Sequence, residues 1–310
     1  MTGVNEKRRA ILREERLAVA GYRDRFEPRI IATFTLQGAA YAGVILLAIN
    51  GTIPLWLGLI GNTVLASMFY MPLHEAAHGN IWGAASPARW GEDLVGMLSS
   101  IPTSMSYKAH RISHMKHHAF TNDPVRDPDH ITSGPLRELP GKWLMIVIIR
   151  ILLPLFAFVP ASQRLIPKRL RARIANSEGE SQAEGVYLLR FWLIMHVALL
   201  GFFLGGLGLE AIMLWYIPSW LQLLWLAFVF AWFPHHPATD MGRYVDTRVA
   251  VFPGSTLLVR GHDHHALHHL FPRVPHFRLP GLWQEIGPQM TERGVRTQGR
   301  ALGATDPIVW

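Results

Sequence analysis

The chain contains no cysteine. That absence removes a disulfide framework, a thiolate zinc site, a cysteine-ligated iron–sulfur cluster and a cysteine nucleophile. Charge is scarce too. Only 17% of the 310 residues are Asp, Glu, Lys or Arg, against about 25% in ordinary soluble domains. Residues 30–73 carry no charge, and residues 191–233 carry only Glu210. Disorder is excluded, because half of the residues are hydrophobic. No internal repeat and no low-complexity tract is found.

The two charge-poor runs each fold back once. Gly51, Thr52 and Pro54 break the first; Gly205, Gly206 and Gly208 break the second. About 20 apolar residues cross a bilayer core. The sequence therefore predicts an all-α integral membrane fold with four transmembrane helices, near residues 30–50, 53–73, 187–206 and 211–233. Every Lys and Arg lies in residues 1–29, 74–190 or 234–310, and the two short turns hold none. The positive-inside rule then places both termini and the middle segment in the cytoplasm, in a bacterial-type cytoplasmic membrane. The net charge of +8 is accounted for by one membrane face, so nucleic acid is not an expected partner.

The expected division is a basic N-terminal segment (1–29), a membrane domain (30–280) and a cytoplasmic C-terminal tail (281–310). Residues 142–160 are apolar enough for a fifth span, but Arg150 and Pro154 interrupt them. A fifth span would also put the histidines before and after it on opposite faces, and would strand the basic run 164–173 outside. A helix at the interface, or dipping partway in, is expected instead. Residues 7–25, with Ile11, Leu12, Leu17 and Val19, read as another interfacial helix or as a solvated helical cap.

Sixteen histidines are the compositional anomaly, and most sit in four stretches: 74–78, 110–118, 234–237 and 262–269. On a helix, residues i, i+3 and i+4 share a face. His74 and His78 form such a pair; His114, His117 and His118 form a triplet, repeated by His265, His268 and His269. Imidazole is the commonest metal ligand. With one histidine from 235–236, these make about nine ligands, more than one metal takes, so two metals are implied. By the predicted topology all of them meet at the cytoplasmic edge, as a histidine-rich helical cap. His235 is the favoured ligand of its pair, His236 the alternative. His110 and His262 lie outside the triplets, His264 projects to another face, and His130 and His276 read as loop residues. His196, within the third span, reads as a helix–helix hydrogen-bonding residue. Phe69, Met71, Trp225, Phe230 and Trp232 are candidates to line a substrate tunnel, or simply to pack.

Three chemistries compete for these ligands. His74-Glu75-Ala76-Ala77-His78 matches H-E-x-x-H, which would make Glu75 the general base of a membrane zinc protease; that leaves both triplets unexplained. A metal transporter should line its path across the bilayer with polar ligands, whereas these pool at one edge. A ferritin-like site needs two Glu-x-x-His motifs from different helices, and only Glu75–His78 is present. An oxygen-activating di-iron site accounts for all the clusters.

His74-x-x-x-His78, His114-x-x-His117-His118 and His265-x-x-His268-His269 resemble the three histidine boxes of the integral-membrane fatty acid desaturase and hydroxylase superfamily. Thr121-Asn122, Asp127-Pro128-Asp129 and Leu270-Phe271-Pro272 are similar to the flanks of those boxes. The resemblance covers roughly residues 30–280. It implies a non-haem di-iron oxidoreductase with two iron ions and O2 as co-substrate, acting on an unactivated C–H bond of a lipid acyl chain or a carotenoid. It implies metal ligands at His74, His78, His114, His117, His118, His235, His265, His268 and His269, with Asp127 and Asp129 orienting ligand rings. The expected activity is fatty acyl desaturation, the alternative a carotenoid or lipid hydroxylase or ketolase. His262-Asp263-His264 stands where many members have Gln-Asn-Tyr, and Ala231 where acyl-CoA members have asparagine. With no cysteine and no cytochrome-like module, the electron donor must be a separate ferredoxin-, rubredoxin- or cytochrome b5-like protein.

Overall fold

The structure, a computed structural model, describes residues 2–83, 86–165, 180–304 and 306–308. Short 3-10 turns aside, its helices in chain order are α1 (Thr2–Val19), α2 (Pro28–Ile49), α3 (Leu55–Met68), α4 (Tyr70–His78), α5 (Trp90–Thr103), α6 (Tyr107–Phe120), α7 (Leu139–Ile151), α8 (Leu153–Phe158), α9 (Glu180–Leu204), α10 (Gly208–Trp232), α11 (Ser255–Leu258), α12 (His265–Leu270) and α13 (Leu279–Glu292). Among the described residues the one sheet is a parallel pair, β1 (Arg248–Val251) with β2 (Arg296–Gly299).

Four helical rods are long and apolar enough to cross a membrane: α2, α3 joined to α4, α9 and α10. Pro28 opens α2 at a position where its missing N–H costs nothing. The second rod runs past the expected end at residue 73 to His78, where Gly79 stops it in the left-handed region. The first histidine pair is therefore the last turn of a span. Side chains such as Leu36, Trp56, Ile194 and Leu204 point outward, the orientation a lipid solvent permits. Two polar side chains inside share one acceptor: Asn62 Nδ2 and Tyr41 Oη both donate to the Leu214 carbonyl, at 2.7 and 3.2 Å.

Helix α5 is not anticipated by the sequence reading. It runs back along α4 with Trp90, Leu94, Met97, Leu98 and Ile101 exposed on one side. Its C-terminal carbonyls, which a helix end leaves without partners, are met by side chains from elsewhere. Trp215 Nε1 donates to Ile101 O at 2.8 Å, Gln222 Nε2 to Thr103 O at 2.7 Å, and Arg150 Nη2 to Ser104 O at 3.1 Å. Trp215 and Gln222 lie inside the last span, so α5 and α6 form a re-entrant hairpin whose tip sits at the depth of that span. Tyr107 Oη, donating to Asp93 at 2.9 Å and lying 3.2 Å from the Ala76 carbonyl, ties the returning α6 to α5 and α4.

Helices α7 and α8, of 13 and 6 residues, meet at Leu152. Neither is long enough to span. Arg150 reaches the hairpin tip and lies over the Trp220 ring, so this segment dips partway, as expected. Residues 166–173 of the basic run lie outside the described residues.

The expectation of a tail at 281–310 needs correction. Leu282, Trp283, Ile286 and Met290 of α13 are buried in one cluster with Leu267 and Leu270 of α12, and β2 completes the sheet with β1. The apolar spacing of these residues gives one face of a helix, and that face needs the histidine-bearing α12 to cover it. Helix α1, mostly exposed, docks on the same lobe: Val19 joins the cluster, and buried Glu15 is bonded to Arg243, Tyr244 and Arg293. Because Trp283 is 1% exposed, Trp283→Ala should cost about 3–5 kcal/mol. This is read as a lowered Tm in detergent; an unchanged Tm would show that residues 281–310 contribute nothing to the lobe.

Candidate metal centre

Helix α4 supplies His74 and His78, α6 supplies His114, His117 and His118, the turn after α10 supplies His235, and α12 supplies His265, His268 and His269. Their nitrogens gather in two groups, each within 4.8 Å: His74, His78, His114, His118 and His268; and His117, His235, His265 and His269. Each triplet is divided. On a helix, i+4 lies about 40° from i, whereas i+3 lies about 60° to the other side. His114 and His118 therefore face one group and His117 the other; His265 and His269 face one and His268 the other. Dividing the triplets interlocks the two groups through the same two helices.

The Nε2 atoms face one another: His74–His268 at 3.1 Å, His78–His114 at 2.9 Å, His114–His118 at 3.1 Å, His118–His268 at 3.0 Å, and His265 with both His235 and His269 at 3.0 Å. The rings are held from behind. His74 Nδ1 lies 3.2 Å from Glu75 Oε1, and His117 Nδ1 lies 2.8 Å from Asp127 Oδ1. Thr121 Oγ1 gives its proton to the His117 carbonyl, so at 3.1 Å it accepts the Nδ1–H of His269. Such acceptors fix the tautomer that leaves Nε2 as a bare lone pair. Burial first, and neighbouring imidazoles second, hold His114, His118, His265, His268 and His269 well below the ordinary histidine value. His117 is the exception. Burial alone would lower it, but the Asp127 and Asp129 carboxylates raise it to about 9.

The donor set fits metal. Two ligands at about 2.1 Å from a common ion and at right angles lie about 3.0 Å apart, whereas a tetrahedral pair lies about 3.4 Å apart. Adjacent nitrogens stand 2.9–3.1 Å apart and all those of a group within 4.8 Å, close enough to share one ion.

Of the residues singled out in the sequence, Asp127 touches His117 and also takes the Asn122 and Asp129 amides. Asp129 Oδ2 stands 3.8 Å from His117, beyond hydrogen-bond reach. His236 turns from the cluster to the Trp232 ring, 4.5 Å away. His264 bonds Asp263 near Trp283. His196 pairs with the Trp192 carbonyl and Tyr216 Oη, within and between helices. His110 stacks on His114 at 5.1 Å. His262 lies between the groups, 4.9 Å from His74 and 4.8 Å from His265. Tyr70 and Phe230, 4.3 Å apart, pack against these two rings as an apolar wall. Phe69, Met71 and Trp232 are buried in packing clusters, and Trp225 is partly exposed.

The sequence reading missed the partners of Glu75. Its carboxylate takes Asn80 Nδ2 at 3.0 Å and the His276 amide at 3.3 Å, besides His74. His276 is thus no plain loop residue. Glu75 faces the back of His74, away from the convergent nitrogens, so it is not placed as the base of a zinc protease.

The fatty acid desaturase family model matches residues 39–301. The chain belongs to the fatty acid desaturase family. Two curated relatives are named sn-1 acyl-lipid omega-3 desaturase (ferredoxin). The one from Synechocystis sp. is 26% identical over 300 residues, covering 87% of this chain and 79% of its own. The one from Nostoc sp. is 26% identical over 259 residues, covering 76% and 67%. A probable fatty acid desaturase of Sorghum bicolor is 24% identical over 239 residues, covering 68% and 58%. This desaturase is accordingly an oxidoreductase.

Losing the acceptor behind a ligand ring typically weakens metal binding about 10–100-fold. Asp127→Ala removes that acceptor and should do so at the His117 group while sparing the other, so that metal retained after dialysis against chelator falls towards half. Unchanged retention would show that Asp127 does not support a ligand.

Proposed function

We propose that this desaturase introduces a double bond into the fatty acyl chain of a membrane lipid, with a pair of irons held by the nine histidines and O2 as co-substrate. The observation that carries the reading is the pair of interlocked Nε2 clusters. Nine imidazoles in two adjacent groups exceed what one ion takes, and imidazole suits iron. The acyl-lipid desaturases from Synechocystis and Nostoc support the substrate class, and their names support a ferredoxin-like donor. That every Lys and Arg lies in the segments at the histidine end supports a cytoplasmic site in a bacterial-type membrane.

When bound, the metal pair supplies the oxygen activation. Overall, O2 takes two hydrogens with their electrons from neighbouring carbons, plus two electrons from the donor and two protons, leaving one double bond and two waters. The chain's own residues supply place and dryness. Glu75, Asp127 and Thr121 orient ligand rings. Tyr70 and Phe230, with His110 and His262 behind them, present an apolar wall that excludes water and against which a methylene segment can lie. Residues 1–29 and 281–310 belong to this reading as the cytoplasmic lobe that covers α12 on its outer side.

Expression in a host that makes both fatty acids and carotenoids, followed by mass spectrometry of its lipids, tests the reading. Loss of two hydrogens from an acyl chain is expected. Gain of one oxygen would move the assignment to hydroxylase, and no change in any lipid from metal-loaded protein would overturn it. Glu75→Gln keeps an acceptor for His74 and should retain both metals, whereas His117→Ala and His268→Ala should each lose metal. A Glu75→Gln variant stripped of all metal would count against Glu75 as a mere orienting group.

A further inference from the structure

Away from the histidine groups, the membrane part of the fold holds two adjoining cavities. The smaller, about 130 Å³, lies where α7, α9 and α10 meet the tip of the α5–α6 hairpin, and Ser104, Arg150, Trp192, His196, Tyr216 and Trp220 are among its walls. The larger, about 370 Å³, follows one face of α9, on which Phe191, Ile194, Met195, Ala198 and Phe202 recur at helical spacing. Phe191 and Met195 line both cavities, so the two form one groove with a polar and an apolar end. None of the nine clustered histidines lines it. Trp220 stands at the middle of the last span, and Trp232, where that span ends beneath the histidines, is roughly 18 Å further along the rod.

The polar end holds a cation without a counter-ion. Among the described residues the Arg150 guanidinium makes one hydrogen bond, to the Ser104 carbonyl at 3.1 Å, lies 5.9 Å from the Trp220 ring centre, and has no carboxylate partner. A charge at this depth is costly and calls for a partner of opposite sign. The neighbouring His196 and Tyr216 are already spent: His196 Nδ1 donates to the Trp192 carbonyl at 2.8 Å, and its Nε2 accepts the Tyr216 hydroxyl at 3.2 Å. Ser104 Oγ and Trp192 Nε1 are buried atoms with no partner. The unspent groups are thus a guanidinium, a hydroxyl and an indole N–H, a set that suits a ligand able only to accept. A carboxylate is such a ligand, since its two oxygens take a bidentate arginine and further donors besides.

The apolar end fixes the rest of the ligand. From Phe191 to Phe202 the groove follows α9 for about 16 Å, room for one long hydrocarbon tail. Glu210 stands at its far end and repels a carboxylate, which sets the direction: head at Arg150, tail towards the far turn. Depth selects as well. A phospholipid would have to bring its glycerol, esters and phosphate to mid-span, whereas a fatty acid brings one carboxyl group.

We propose that this groove binds one unesterified long-chain fatty acid, its carboxylate on Arg150, Ser104 and Trp192 and its tail along α9, at a site separate from the metal centre. The bound acid joins α7 and α9 to the hairpin tip, and so fastens the hairpin whose second helix carries His114, His117 and His118. The site stands whether or not the lipid reaction proposed above is correct, since no clustered histidine touches it.

The test uses full-length, metal-loaded protein in a nonionic detergent, with radiolabelled palmitate as probe, and reads Kd by equilibrium dialysis and Tm by thermal scan. Palmitate should bind and raise Tm. Hexadecanol and methyl palmitate, which keep the tail without the charge, should bind about tenfold or more weakly. Arg150→Gln should raise the palmitate Kd about tenfold or more. Trp192→Phe keeps the ring stacked on His196 and removes only the N–H, and should raise Kd several-fold. Leu36→Ala, on an exposed face of α2 outside the groove, should leave it unchanged. Should Arg150→Gln fail to fold, Trp192→Phe and Ser104→Ala carry the comparison. No palmitate binding by wild type, equal Kd values in wild type and the polar-end variants, or equal affinity for palmitate and hexadecanol would overturn the proposal. Displacement of palmitate by phosphatidylglycerol at equal or lower concentration would overturn it too, and assign the polar end to a lipid phosphate.

Discussion

Imidazole nitrogens that carry no hydrogen repel when they face one another, and this chain packs nine imidazoles into two tight groups. The arrangement holds because each contributing element is pinned elsewhere. The end of the second span fixes His74 and His78, Tyr107 fixes the start of α6, and the α13 face fixes α12. Behind the rings, Glu75, Asp127 and Thr121 dictate which nitrogen keeps its hydrogen. Everything on the far side of those contacts, from the spans to the C-terminal strand, serves to hold donor atoms in a geometry that only a cation relieves.

Much of this was legible in the sequence, and the reasons differ by element. The spans were legible because hydropathy accumulates over twenty residues and needs no partner. The histidine boxes were legible because helical spacing is local. Their division between two groups was not, since i, i+3 and i+4 share a face only loosely and the sequence does not say where the metals sit relative to it. Helix α5 escaped notice because Glu92 and Asp93 open it. The structure spends Glu92 on the Ile81 and Trp82 amides and Asp93 on Tyr107. The role of α13 escaped because its apolar face acquires meaning only against α12, the helix just before it in the chain. Glu75 was visible, but its carboxylate could be assigned to His74 only once Asn80 and His276 were seen around it.

The ambiguity between His235 and His236 has a specific origin. The last span ends in a π-helical turn, Ala227–Trp232, in which the Phe233 amide bonds Phe228 O at 2.8 Å. A π-turn advances the following residues relative to α spacing, so extrapolating a regular helix cannot say which imidazole meets the cluster. The irregularity aims His235 at His265 and leaves His236 on Trp232.

The buried end of α5 bears on how the molecule is made. Its last carbonyls depend on Arg150, Trp215 and Gln222, all of which leave the ribosome after α5 itself. Until the final span is inserted, the Ile101 and Thr103 oxygens lack these donors, and in hydrocarbon each would be costly. The last span therefore completes the seat of the hairpin, and His235, His265, His268 and His269, which follow that span in the chain, complete the two histidine groups only after it.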